Sequence, residues 1–230
     1  MDPLNRSEIK VRARAALNSQ APTFVLSYVV LSLVSGVFSS AARASSSTSF
    51  NAPWYAPSPG LVFSFSLFGL LGVAVGGVLQ MGFLKMSFAG LRNEQLSVAD
   101  VFAVFSDFIR AVGLVLFVTV KIFLWSLLFI VPGIIAAYRY AMAYYIYLEN
   151  PDMGYTEITD ASGTMMNGHK LDLFVFQFSF FWWYCLVAVT FGLAAFWVAP
   201  YVLIATTEFY NRLKVIERPI SYAAPSAPAV

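Results

Sequence analysis

The hydrophobic pattern is a series of long apolar runs parted by short polar segments. The longest, Phe108–Leu148, holds 41 residues and only three charges: Arg110, Lys121 and Arg139. As one helix it would be about 60 Å long, twice a bilayer core of about 30 Å. The chain must therefore turn back inside it. Pro132-Gly133 is the expected turn, because Pro cannot donate into a preceding helix and Gly tolerates the bend. This predicts a hairpin of helices at 109–131 and 133–148. Further runs predict spans at 22–40 and 61–85, and a second pair at 171–191 and 193–213. The turn in that pair falls at Phe191-Gly192 or at Val198–Pro200. The expected fold class is all-α. It is a polytopic transmembrane bundle of about six spans, forming a single domain over 21–215.

The polar segments add detail. Residues 1–20 predict a basic interfacial helix, with Ile9, Ala13, Ala16 and Leu17 on one side and Arg6, Lys10, Arg12 and Arg14 around them. Asn5 with Glu8 three residues on resembles a capping box. Two cytoplasmic interfacial helices are expected within Leu91–Asp107 and Leu148–Lys170, the first opened by Ser97 and Asp100. Ala41–Pro59, with Trp54 and Tyr55, reads as a non-cytoplasmic connector, and 216–230 reads as a disordered tail. Leu91-x-Asn93-x-x-Leu96-Ser97 and Leu148-x-Asn150-x-x-Met153-Gly154 align at a constant offset, and each copy precedes an overlong apolar run. A parallel internal repeat is therefore expected.

Composition supports a membrane class. Apolar residues make up 59% and charged residues 11% of 230, against about 25% charged in soluble domains. That leaves no room for a separate soluble catalytic domain. A formal charge of +2 gives no reason to expect nucleic acid as a partner. Met1–Asn18 has no apolar stretch of signal-peptide type. With the N-terminus inside, the cytoplasmic side holds eleven Lys and Arg residues and the other side only Arg43. This positive-inside bias predicts a multi-pass protein of the cell membrane with both termini cytoplasmic.

The chemical inventory is short. The single histidine, His169, and single cysteine, Cys185, predict neither a zinc site nor an internal disulfide. No hydrolase, zincin or nucleotide-binding motif occurs, and the S-x-x-K of Ser7–Lys10 has no companion motif. Glu149, Asp152, Glu157 and Asp160 cluster in one polar segment and read as a solvated helix face or an acidic cation site. No catalytic residue, metal ligand or cofactor is expected. A charge inside a span is a functional candidate by default, so Lys121, Arg139 and Glu208 form a candidate intramembrane polar site. Arg139 can snorkel outward and Glu208 can pair with Arg212 four residues on. Gln80, Gln177, Thr206 and Thr207 add polar groups that could line a path or join helices. Ser32 and Gly36, and Gly72 and Gly76, have the small-xxx-small spacing of helix-packing faces. The aromatic stretch Phe174–Tyr184 suits an interface, a packed core or a ligand cage.

The second half carries V-P-G-I-I-A-A-Y-R-Y-A-M-A-Y-Y-I-Y-L-E-N-P, then N-G-H-K-L-D-L-F, F-S-F-F-W-W, L-V-A-V-T-F-G-L, V-A-P-Y and F-Y-N-R-L in order. Over about Trp125–Leu213 the chain resembles an integral-membrane family of mainly Gram-positive bacteria, a domain of unknown function. The resemblance implies a polytopic membrane protein and supplies no reaction. Arg139 stands where the family pattern tends to have a small or polar residue.

The leading expectation is a non-enzymatic membrane module that contacts lipid, a peptide or another membrane protein. The alternative is a small-solute transporter or channel whose polar path includes Lys121. A lipid headgroup enzyme using Asp152 or Glu157 is the third reading.

Overall fold

The computed structural model describes residues 4–47 and 59–217, and among these every regular element is helical. The expectations for Trp54, Tyr55 and the tail from residue 218 lie outside the described residues.

Helix α1 (Arg6–Ser19) begins at Asn5. The Asn5 side chain accepts the Ser7 N–H at 3.1 Å and donates to the Glu8 carboxylate at 3.4 Å. At Gln20 the chain bends by 89° into α2 (Ala21–Ser47), which continues past the expected end of the first span. Gln20 also ties this corner to the next one. Its amide donates to the Glu94 carbonyl at 2.6 Å, and its oxygen accepts the Leu96 N–H at 2.8 Å.

Helix α3 (Pro59–Leu91) is followed by a 3₁₀ segment, Val98–Asp107, that folds back along it. Ser97 and Asp100 form the expected capping box, with the Asp100 carboxylate accepting the Ser97 N–H at 2.8 Å. Close approach depends on Gly82, where a Cβ would overlap the Val101 carbonyl oxygen.

The expected hairpin is present as α4 (Phe108–Leu128) and α5 (Ile130–Arg139), packed against each other. The break falls at Phe129, whose backbone is extended (φ −160°, ψ 153°). Pro132 and Gly133 therefore lie in the first turn of α5. There a missing N–H costs no intrahelical bond. Gly133 allows the limbs to touch, since a Cβ there would overlap Ser126.

The second limb continues as α6 (Ala143–Glu149) after a one-turn break at Tyr140–Met142. Next come α7 (Tyr155–Met165), α8 (Lys170–Phe178), α9 (Phe181–Val189) and α10 (Ala195–Glu217). The turn before α10 is at Phe191-Gly192, both with positive φ (50° and 90°), while Pro200 lies inside α10. The Thr190 hydroxyl closes that turn by accepting the Ala194 N–H at 3.1 Å. The two repeat copies share the order helix end, loop, short helix, but their backbones differ. Asn93 is left-handed (φ 59°) and Asn150 is not (φ −134°), and Gly154 supplies no side-chain cap to α7.

Among the described residues, three stretches are long and apolar enough to cross a membrane: Ala74–Leu91, Val98–Leu128 and Lys170–Val189. Arg6–Ser19 with Ala21–Val34 would make a fourth if that bent pair were one span. The core is aromatic. Phe176 stacks on Phe209 with centroids 5.2 Å apart, and Tyr145 stacks on Tyr210 at 5.0 Å with Phe88 edge-on to both.

Helix α1 is fastened to α10 in two ways. Ile9, Ala13, Ala16 and Leu17 are buried, as their shared side of the helix requires. A charge chain then runs Glu8–Arg212–Glu208–Arg12, with contacts of 3.0, 3.2 and 3.1 Å. Glu208 is only 4% exposed, so its carboxylate relies on these two guanidiniums. Glu208→Ala should remove the carboxylate that joins Arg12 to Arg212 and cost about 1–2 kcal/mol, less than the loss on breaking a fully buried pair, because Arg12 meets water and Arg212 keeps Glu8. Limited proteolysis in detergent should then release α1 first; unchanged cleavage would mean the apolar face alone holds it. Gly82→Val should push the 3₁₀ segment off α3 and destabilise by about 2 kcal/mol or more, read as a lower thermal transition in the same detergent.

Candidate functional site

A cavity of about 520 Å³ lies between α2, α3, α6, α8, α9 and α10. Residues from all six helices build it. Helix α3 contributes Gly77, Gln80, Met81 and Leu84, one face at helical spacing, and α10 contributes Val198, Ala199, Val202, Leu203 and Thr206. Tyr28 comes from α2, Tyr144 and Tyr145 from α6, Leu173 and Gln177 from α8, and Tyr184 from α9. No lining residue carries a charge.

The cavity thus gathers three of the four polar residues singled out from the sequence: Gln80, Gln177 and Thr206. Their hydrogen bonding differs. Gln177 is held by the Tyr138 hydroxyl, which donates to its side-chain oxygen at 3.0 Å. Thr206 donates back to the Val202 carbonyl at 2.8 Å. Thr207 lies outside the lining and bonds to the Leu203 carbonyl at 2.9 Å. Apolar walls with a few polar groups suit an apolar or amphipathic molecule, and a charged one would lack a counter-ion.

The charged candidates lie elsewhere. Lys121 on α4 is half-buried. Its ammonium donates to the Thr159 hydroxyl on α7 at 2.8 Å and sits 4.7 Å from the centre of the Phe117 ring and 5.4 Å from that of Tyr140. Arg139 is exposed; its guanidinium lies 5.8 Å from the Tyr140 centroid and against Gly163, one helical turn after Thr159. The two cations therefore share one helix and one aromatic ring. Glu208 belongs to the α1–α10 clamp. The three residues grouped as a polar site are thus divided between two places, neither of them the cavity.

The charged segments gather at one end of the bundle. Lys214 and the Tyr210 hydroxyl both donate to Glu149 at 2.6 Å, and Arg110 pairs with Asp152 at 3.5 Å. Glu157 and Asp160 are exposed on α7. Lys10 donates to the Ser179 carbonyl at 3.3 Å and lies over Phe180. Burial there, with Arg6 nearby, lowers its pKa. His169 is 3.0 Å from Asp172. Among the described residues no three His, Cys, Asp or Glu side chains are placed to hold a metal ion.

Among the described residues nothing lies within 4 Å of where a Cβ would sit on Gly76, and the Ser32 hydroxyl donates to the Val29 carbonyl at 2.8 Å. Gly72 is half-buried. Trp182 is 80% exposed, while Trp183 packs on Tyr201 with centroids 5.8 Å apart. Tyr184 is the member of that aromatic stretch that reaches the cavity.

Residues that the sequence does not single out are Tyr28, Ala199 and the corner residue Gln20. Their only signal is position, since each looks like ordinary apolar or capping sequence. Residues 127–217, which hold α5 to α10 and most of the cavity wall, match the family described as Protein of unknown function (DUF975). No curated protein and no solved structure matches the chain.

Proposed function

We propose that the protein is a non-enzymatic, multi-pass module of the cell membrane that holds an apolar or amphipathic molecule, such as a lipid chain or a hydrophobic peptide segment, in the cavity between α3 and α10. The observation that carries this reading is a volume of about 520 Å³ with no charged residue in its lining. Gln80 and Gln177 are placed to orient a hydroxyl, ester or amide of the bound molecule, and the Met and Leu side chains supply contact area. Lys121 lies outside the lining, so the reading needs no intramembrane charge. The charged end formed by α1, α7 and the end of α10 supports a cytoplasmic placement of the N-terminus and of Lys214.

The cavity can be closed from within. Ala199→Phe adds a ring where α10 borders the space. A photoactivatable fatty-acyl probe added to the reconstituted protein should label peptides from α3 and α10. Ala199→Phe should lower that labelling by about tenfold, equivalent to about 1.4 kcal/mol of binding. Gln177→Leu should weaken a polar-headed probe and spare a plain hydrocarbon one. Labelling that stays the same in Ala199→Phe, at unchanged thermal stability, would place the probe elsewhere and sink the cavity reading.

A further inference from the structure

The α4–α5 hairpin carries an exposed apolar tip above two cations. Between Lys121 and Arg139 there is no charged residue. Within that stretch the side chains point outward: Leu127, Leu128, Phe129, Val131, Ile134 and Ile135 are 50–73% exposed. The limbs above the two cations, 122–128 and 130–138, reach only about 10 and 14 Å. One leaflet of hydrocarbon is about 15 Å thick, and the whole core about 30 Å.

Helix α7 fixes the level of the base. Lys121 bonds to Thr159 and Arg139 lies on Gly163, so both limbs rest on this one helix. Its outer residues Glu157 and Asp160 are exposed, with no basic partner within 4 Å among the described residues. Bare carboxylates cost several kcal/mol in hydrocarbon, so this helix lies in water or among headgroups. The hairpin base lies there too, and its apolar tip reaches no further than mid-bilayer.

The base is also chemically open. Neither Lys121 nor Arg139 meets a carboxylate among the described residues. Both cations lie within 6 Å of the centre of the same ring, Tyr140, so they form a paired positive site beside an exposed apolar surface. Phospholipid supplies both complements at once: an anionic phosphate at the surface and acyl chains for the tip.

We propose that residues 122–138 form a re-entrant hairpin that enters one leaflet only, and that Lys121 and Arg139 at its base bind the phosphates of that leaflet's lipids. This stands independently of the cavity reading. The depth test uses full-length protein in vesicles, with Cys185→Ser and a single probe site at Phe129→Cys. A membrane-impermeant maleimide should label Phe129→Cys from neither side. A fluorophore at that site should be quenched by lipids spin-labelled at the chain end and spared by lipids labelled at the headgroup. Labelling from the face opposite α7 would show a full crossing and overturn the proposal.

The headgroup test uses native mass spectrometry of protein in mixed phosphatidylglycerol and phosphatidylcholine. K121M with R139M should lose bound phospholipid by about tenfold, while K85M, at an exposed site on α3, should not. Inorganic phosphate should fail to displace the lipid. Displacement by inorganic phosphate, or unchanged lipid in the double variant, would overturn the headgroup assignment. If the double variant does not fold, the Phe129→Cys depth still decides whether the hairpin is re-entrant.

Discussion

A charged group in an apolar chain must find either water or a partner, and the arrangement of this protein follows from how each charge meets that demand. Glu208 is the most demanding, being almost fully buried on α10. Arg212, one turn along, satisfies part of it, and Arg12 supplies the rest from the far end of the sequence. Helix α1 is thereby held across the foot of α10, and Glu8 on Arg212 repeats the link one turn further. Once α1 is placed, the 89° corner at Gln20 sets the direction of α2, and Gln20 carries that corner to Glu94 and Leu96. One buried carboxylate therefore couples the termini of the described chain to the loop between α3 and the 3₁₀ segment. Burying such a group gives little net stability. Its effect is on arrangement, since other positions of α1 leave Glu208 with Arg212 alone.

Two single glycines set close contacts between helices in this chain. Gly82 against Val101 and Gly133 against Ser126 are places where a methyl group would not fit. Gly76 has the spacing of a packing motif, yet no atom of the described residues lies within 4 Å of where its Cβ would sit. The difference is physical. Small-xxx-small spacing shows that two backbones can approach, whereas the partner and its crossing point depend on where loops return the chain. Gly82 is legible only once the Ser97–Asp100 cap is seen to send the 3₁₀ segment back over α3.

Much of the fold was legible because its signals are local. The Ser97–Asp100 box, the Asn5 cap, the doubled length of Phe108–Leu148 and the two possible turns before the last helix all come from a few neighbouring residues. Phe191-Gly192 makes that turn because Gly takes the left-handed backbone and Thr190 accepts the closing N–H. Pro200 stays within α10, as prolines do in helices whose neighbours cover the freed carbonyl. The hairpin was foreseen, but its break lies three residues before Pro132, at Phe129. Proline in a first turn starts a helix as readily as it ends one. The cavity was not legible as a cavity. Gln80, Gln177 and Thr206 were visible as polar residues in apolar runs, yet they come from three helices whose convergence depends on long-range packing. Lys121 was visible as a charge in an apolar run, but its partner Thr159 lay in a segment that reads as surface, so the run alone does not set its depth.

That depth bears on function. A lysine in mid-bilayer asks for a hydrated path or an ion pair, and a transport reading begins there. A lysine resting on a helix whose outer face carries Glu157 and Asp160 asks for neither. It can serve the headgroup layer while the chain's uncharged polar residues face the cavity. The two chemistries are divided between sites: the cations against α7, and the amide and hydroxyl groups in the cavity. A ligand that entered from water would have to shed its hydration against walls of Met, Leu and Val. One that entered from the leaflet would exchange one apolar surface for another and gain the hydrogen bonds of Gln80 and Gln177. On the proposed reading the leaflet is therefore the energetically favoured source, with the membrane both solvent and supply for the molecule held in the cavity.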